Sequence, residues 1–197
     1  IRLLKTSGFN RISIGVESFS ERLLRSEIMN KYQYSFHNIQ DLVKAFSEIG
    51  ILIQINIMLL IPDATKEEVL FNIKNIQVFL EKGTPINVNV KLFAEPGAPA
   101  ITNTKYQYTL KEFKSPINEY SISIPEYFIP ENKDLINCFY LYDEFLENET
   151  EKFLHLRGLS HSRLLNTYRA GIACLTVLRI LGMNADYDDF LSILLNI

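Results

Sequence analysis

The chain has 197 residues, 47% of them hydrophobic, with 20 basic against 23 acidic side chains and a net charge of -3. This size and apolar content allow a sizeable core in one or two domains, and the near-balanced charge gives no general pull towards nucleic acid or an anionic membrane. Two cysteines make no disulfide framework, so a reducing, cytoplasmic setting is expected; no signal peptide is visible, and the apolar runs Ile51 to Ile61 and Ile172 to Leu181 are too short or too interrupted to span a bilayer.

In chain order, Ile12 to Val16 reads as a buried strand that stops on a polar pair, Glu17-Ser18. Ser20 then supplies a helix cap, with Glu21 in the first turn. A carboxylate at the C-terminal end of a buried strand is poorly placed for stability and well placed for a site, because α/β folds carry their chemistry at that end. Ser35 to Ile49 has apolar residues at helical spacing, Phe36, Ile39, Leu42, Val43 and Phe46, and Gly50 stops it. Ile51 to Ile61 is apolar except for Gln54 and Asn56, which predicts a parallel strand buried on both faces. Thr65 and Glu68 form a capping-box pattern before a helix over Val69 to Leu80, which Gly83-Thr84-Pro85 ends. Ile86 to Phe93 alternates as a strand. The order strand, helix, strand, helix, strand predicts α/β architecture with parallel βαβ units.

From residue 100 the character changes. Ile101 to Tyr120 is polar and aromatic, Pro116, Pro125 and Pro130 punctuate the segment, and Ser121 to Ile124 suits a short strand. Residues 100–130 are expected to be either a tether or a loop on the substrate side. Beyond them, Leu135, Phe139, Tyr142, Phe145 and Leu146 form one helical stripe, and Leu164 to Leu181 carries another that Gly182 stops. With a last short helix over Phe190 to Leu195, residues 131–197 read as a small α-helical domain packed on itself or on the sheet.

Gly15-Val-Glu-Ser-Phe-Ser20, then Met29-Asn-Lys31, then Ile61-Pro-Asp-Ala-Thr-Lys-Glu-Glu68, with the later Glu95-Pro-Gly-Ala-Pro99, resemble the second half of a radical S-adenosylmethionine (SAM) barrel. The likeness covers roughly the first half of the chain. It implies that residues 1–99 are the C-terminal half of a partial radical-SAM-type (βα) barrel, followed by a helical extension. It implies that Glu17, with Ser18 beside it, lies at the ribose hydroxyls of SAM, a role a carboxylate suits because it accepts two hydrogen bonds at once. Lys31, or second Arg25, would pair with the methionine carboxylate, and the loop at Leu60 and Ile61 would pass the adenine. Leu60 stands where Gly is common and Asp63-Ala64 where Gly-Glu is common.

The resemblance further implies a [4Fe-4S] cluster, an electron donor and a small-molecule or peptide substrate, with cobalamin as a further possibility because the pattern is nearest families joined to a cobalamin domain. The cluster needs three thiolates in a CxxxCxxC run, and Cys138 and Cys174 belong to no such motif. The chain is therefore expected to be the distal part of a longer enzyme that cleaves SAM to a 5′-deoxyadenosyl radical, inactive in this form. The other reading is a non-catalytic, barrel-derived scaffold or interaction protein. Elsewhere, His155 and His161 flank a glycine six apart, unlike a helical metal pair, and His37 reads as exposed. The cysteines read as buried small residues. Arg11 and Lys91 flank strands, and Lys91 is within reach of the site if its side chain faces it.

Overall fold

The computed structural model describes residues 2–31, 35–114 and 121–197. Helix α1 (Arg2–Thr6) precedes strand β1 (Arg11–Glu17), followed by α2 (Glu21–Leu24), α3 (Phe36–Glu48), β2 (Leu52–Leu60), α4 (Lys66–Glu81) and β3 (Ile86–Lys91). Then come α5 (Pro99–Thr102), β4 (Tyr108–Lys114), β5 (Ser121–Phe128), α6 (Lys133–Arg157), a 3-10 turn at His161–Arg163, α7 (Asn166–Ile180) and α8 (Asn184–Asn196). The expected strand and helix alternation is present over the first ninety residues. Strands β1, β2 and β3 form a parallel sheet in that order, with β2 central. The sheet is open, and no closed barrel forms among the described residues.

Local chemistry sets the helix limits. Ser35 accepts from the backbone N–H of Asn38 at 3.3 Å and starts α3. At the N-terminus of α4 the capping box is complete: Thr65 Oγ1 accepts from Glu68 N at 3.3 Å, and Glu68 Oε2 accepts from Thr65 N at 3.0 Å. Gly50 and Gly83 end α3 and α4 at φ 69° and 70°, left-handed values that a side chain would oppose. Each turn is closed by a return bond, Ile51 N to Phe46 O at 3.0 Å and Thr84 N to Phe79 O at 2.9 Å.

The central strand departs from expectation. Ile53, Ile55, Ile57 and Leu59 are buried on the side that α3 and α4 cover. On the opposite face Leu52 is 47% exposed, and Gln54, Asn56 and Met58 are only half-buried. β2 is thus not buried on both faces. The two polar residues in the apolar run mark the more open face of the strand, and Ser13 Oγ accepts from Asn56 Nδ2 across it at 2.9 Å.

The helical part shares its core with the sheet. One apolar cluster runs from Val16, Ile55 and Ile73 through Phe139, Cys174 and Leu175 to Phe190, and α7 packs directly on β3 and α4. Helix α8 begins six residues before the expected Phe190, because its first turns carry Asp186, Asp188 and Asp189 and hide the period in polar residues.

Residues 100–130 hold more structure than a tether. β4 and β5 pair antiparallel, and β5 runs on past Ile124 through Pro125, beside the register shift at Tyr108 to Leu110, where a missing N–H is tolerated. The ribbon joins the extension of β3, where Phe128 N donates to Leu92 O and Ala94 N to Glu126 O, both at 2.9 Å. Pro116 and Tyr120 lie outside the described residues. No described helix is long and apolar enough to cross a membrane.

Candidate functional site

Glu17 and Lys31 meet at the C-terminal end of β1. Lys31 Nζ donates to Glu17 Oε1 at 2.9 Å and also to the carbonyl oxygen of Gly15. The side chains are 19% and 28% exposed. Glu17 Oε2 is buried without a hydrogen-bond partner, an uncommon state for a carboxylate oxygen.

The backbone is bent to build this pair. Among the described residues, the non-glycine positions with positive φ are Glu17 (69°) and Asn30 (49°), one in the pair and one next to it. Such conformations cost about 1–3 kcal/mol each and gather at functional sites. β1 shifts register against β2 between Gly15 and Glu17, which re-aims the Glu17 side chain. Lys31 is returned over the strand end by the turn after α2, where Asn30 N donates to Ser26 O at 2.8 Å and Lys31 N to Leu24 O at 2.7 Å.

Gly15 makes the room. A Cβ there would stand 2.3 Å from Glu17 Oε1 and 3.3 Å from Lys31 Nζ. The obstructing atoms are ends of flexible side chains, so Gly15→Ala is expected to change unfolding free energy by no more than about 1 kcal/mol while pushing the carboxylate off Lys31. Urea unfolding and a ligand titration on the same sample check this, and a large loss of stability would mean the site cannot yield.

The other expected site residues stand differently. Ser18 is wholly buried, and its hydroxyl faces the core, where Asn72 Oδ1 lies at 3.2 Å and Asn72 Nδ2 at 3.1 Å. Asn72 Oδ1 also accepts from Phe19 N at 2.8 Å. Ser18 therefore fixes the turn after Glu17. Leu60 and Ile61 are wholly buried, backbone included, and present no surface to a ligand. Arg25 pairs with Glu21 at 3.3 Å, not with Glu17.

Asp63, where the sequence departs from the radical SAM pattern, has a use of its own. Its carboxylate accepts from Tyr106 Oη at 2.8 Å and pairs with Lys105, while Glu131 N donates to Pro62 O at 3.0 Å. These bonds clamp residues 105–106 and 131 onto the loop after β2. Burial, with the Asp63 hydrogen bond, pushes the Tyr106 phenol up, and the same carboxylate raises Lys105. Next to this clamp, Ser20 Oγ donates to Glu68 Oε1 at 2.7 Å and Arg22 Nε to the same oxygen at 2.8 Å. Burial opposes ionisation of Glu68, but Arg22, Ser20 and Thr65 together hold its carboxyl below the usual range. Tyr106 and Lys105 are not legible from sequence as partners of Asp63, because about forty residues separate them in the chain.

Arg11 donates to Gln54 on the open face, and Lys91 pairs with Asp143 of α6 at 2.6 Å. The histidines are exposed, with His37 at 3.5 Å from Asp41. Both cysteines are buried in the helical part, and desolvation pushes the Cys138 thiol up to about 12 and raises Cys174 as well. These thiols do not suit an iron–sulfur cluster, which takes accessible thiolates in a compact run, and no group of three or more His, Cys, Asp or Glu among the described residues is placed to hold a metal ion. No protein-family model, no curated protein and no solved structure matches the chain.

Proposed function

We propose that the strand end at Glu17 and Lys31 binds the adenosyl and methionine parts of SAM, within a partial radical-SAM-type barrel. The observation that carries this reading is the strained Glu17–Lys31 pair with one carboxylate oxygen, Oε2, left buried and unpartnered. A buried acceptor of this kind costs stability unless something donates to it. A ribose hydroxyl is a donor of the right kind, and the adjacent ammonium suits a ligand carboxylate. Glu17 would accept from the ribose, Lys31 would hold Glu17 and the methionine carboxylate together, and Gly15 would leave room for the Glu17 carboxylate.

SAM supplies the adenosyl group that the resembling family releases as a radical. The two cysteines of this sequence, Cys138 and Cys174, are not spaced to supply the thiolates for a cluster.

Calorimetric titration of the purified chain with SAM tests the reading. Glu17→Ala is expected to weaken binding about tenfold or more, the value of a charge-assisted hydrogen bond, in protein that still folds. An absence of saturable binding to the unaltered chain, or equal binding by the variant, overturns it and leaves the pair as a structural clasp of a scaffold.

A further inference from the structure

A second site lies at the other edge of the parallel sheet. We propose that the cavity between β3, β5 and α6 binds a small molecule that carries a carboxylate on an aromatic body. The cavity measures about 410 Å³, inside the range of roughly 300–1,000 Å³ usual for small-molecule sites. Met58, Asn89, Phe93, Tyr127 and Tyr142 line it around Lys91 and Asp143.

Lys91 is the last residue of β3, and its side chain is only 14% exposed. The ammonium stands 4.8 Å from the Phe139 ring centroid and 5.8 Å from that of Tyr127. Its counter-ion, Asp143, is 74% exposed. The pair is lopsided: the cation has given up its water and the anion has kept it. An exposed carboxylate gains little from such a pair and is readily exchanged. A ligand carboxylate that also buries an apolar body adds the hydrophobic term that Asp143 lacks.

The lining favours that body. Phe93 is 51% exposed beside the cavity and meets Tyr127 edge-on at 6.1 Å, leaving ring surface uncovered. Among the lining residues, Lys91 and Asp143 alone carry formal charge at neutral pH. Once Asp143 swings out, nothing in the lining repels an anion. The site does not involve Glu17, so this inference stands or falls apart from the SAM reading.

The chain has three methionines, Met29, Met58 and Met183, and only Met58 lines this cavity. Methyl NMR of ¹³C-methionine-labelled protein titrated with 3-phenylpropionate is therefore the test. The Met58 signal is expected to shift saturably while the other two stay still. Neutral 3-phenylpropanamide and the Lys91→Leu variant should each bind about tenfold more weakly or worse. Asp143→Asn should bind at least as tightly as the unaltered chain, because it removes the competitor. No saturable Met58 shift, equal binding of the amide, full binding by Lys91→Leu, or loss of binding in Asp143→Asn would each overturn the proposal, the last by making the pair a clip that holds α6 to β3.

Discussion

Ile55→Asp is expected to abolish cooperative folding. Ile55 has no exposed surface and lies in the middle of the central strand, paired with Ile14 on one side and Ile86 on the other. The face it occupies is the one under α3 and α4, and it belongs to the cluster that continues into α6, α7 and α8. An unpaired carboxylate there either stays charged in a dry layer or takes up a proton, and both cost several kcal/mol. A domain of this size has only about 5–15 kcal/mol of net stability. Circular dichroism during urea unfolding should show no native baseline, or the protein should be insoluble. Asn56→Asp, one residue on, gives the contrast. That side chain is on the open face, so a change of about 1 kcal/mol or less is expected. A soluble Ile55→Asp protein with a sharp transition would show that the buried layer lies elsewhere.

The contrast between these neighbours also marks where reading from sequence succeeds and where it fails. Whatever depends on residues within one turn is legible. Thr65 and Glu68 form their capping box because both partners sit on the same helix end, and Gly50 and Gly83 stop their helices by their own backbone freedom. The parallel order of the strands follows from the lengths between them. The open face escapes because an apolar run of eleven residues gives no sign of which side is covered; Gln54 and Asn56 are the signal, and they read equally well as mere interruptions. Of the β4–β5 ribbon only Ser121 to Ile124 is legible; β4 and the end of β5 escape because Pro125 breaks the alternation and the pairing carries a register shift. At the site, Glu17 and Lys31 are both legible, but their contact with each other is not. It rests on a positive φ at Glu17 and at Asn30; asparagine is a residue type that favours that conformation, but glutamate does not announce it. Tyr106 and Glu131 are invisible as neighbours of the loop after β2 for the simpler reason that long loop closures bring them there.

Asn72→Leu is expected to lower stability by roughly 2–4 kcal/mol and to weaken ligand binding at Glu17, although Asn72 touches no proposed ligand. The side chain is wholly buried on α4 and serves the turn after β1, accepting from Phe19 N at 2.8 Å and bonding Ser18 through both ends of its amide. Leucine fills a similar volume, so the change leaves little cavity. What it leaves is a backbone N–H and a hydroxyl with fewer partners in a dry layer, where Phe19 stacks on Phe79 at 5.4 Å. Each such orphan costs about 1–3 kcal/mol. The turn relieves them by moving, and the residue before it is Glu17, held at φ 69°. A backbone in that region persists only when its surroundings over-determine it, and Asn72 is one of the groups that do so. Loss of the amide should therefore release Glu17 towards an ordinary extended conformation and part its carboxylate from Lys31. Urea midpoints measure the first effect, and titration well below the melting temperature measures the second in protein that is still folded. A stability loss with unchanged binding would show that the turn holds Glu17 without Asn72. A change below about 1 kcal/mol would show that Ser18 and Phe19 find other partners.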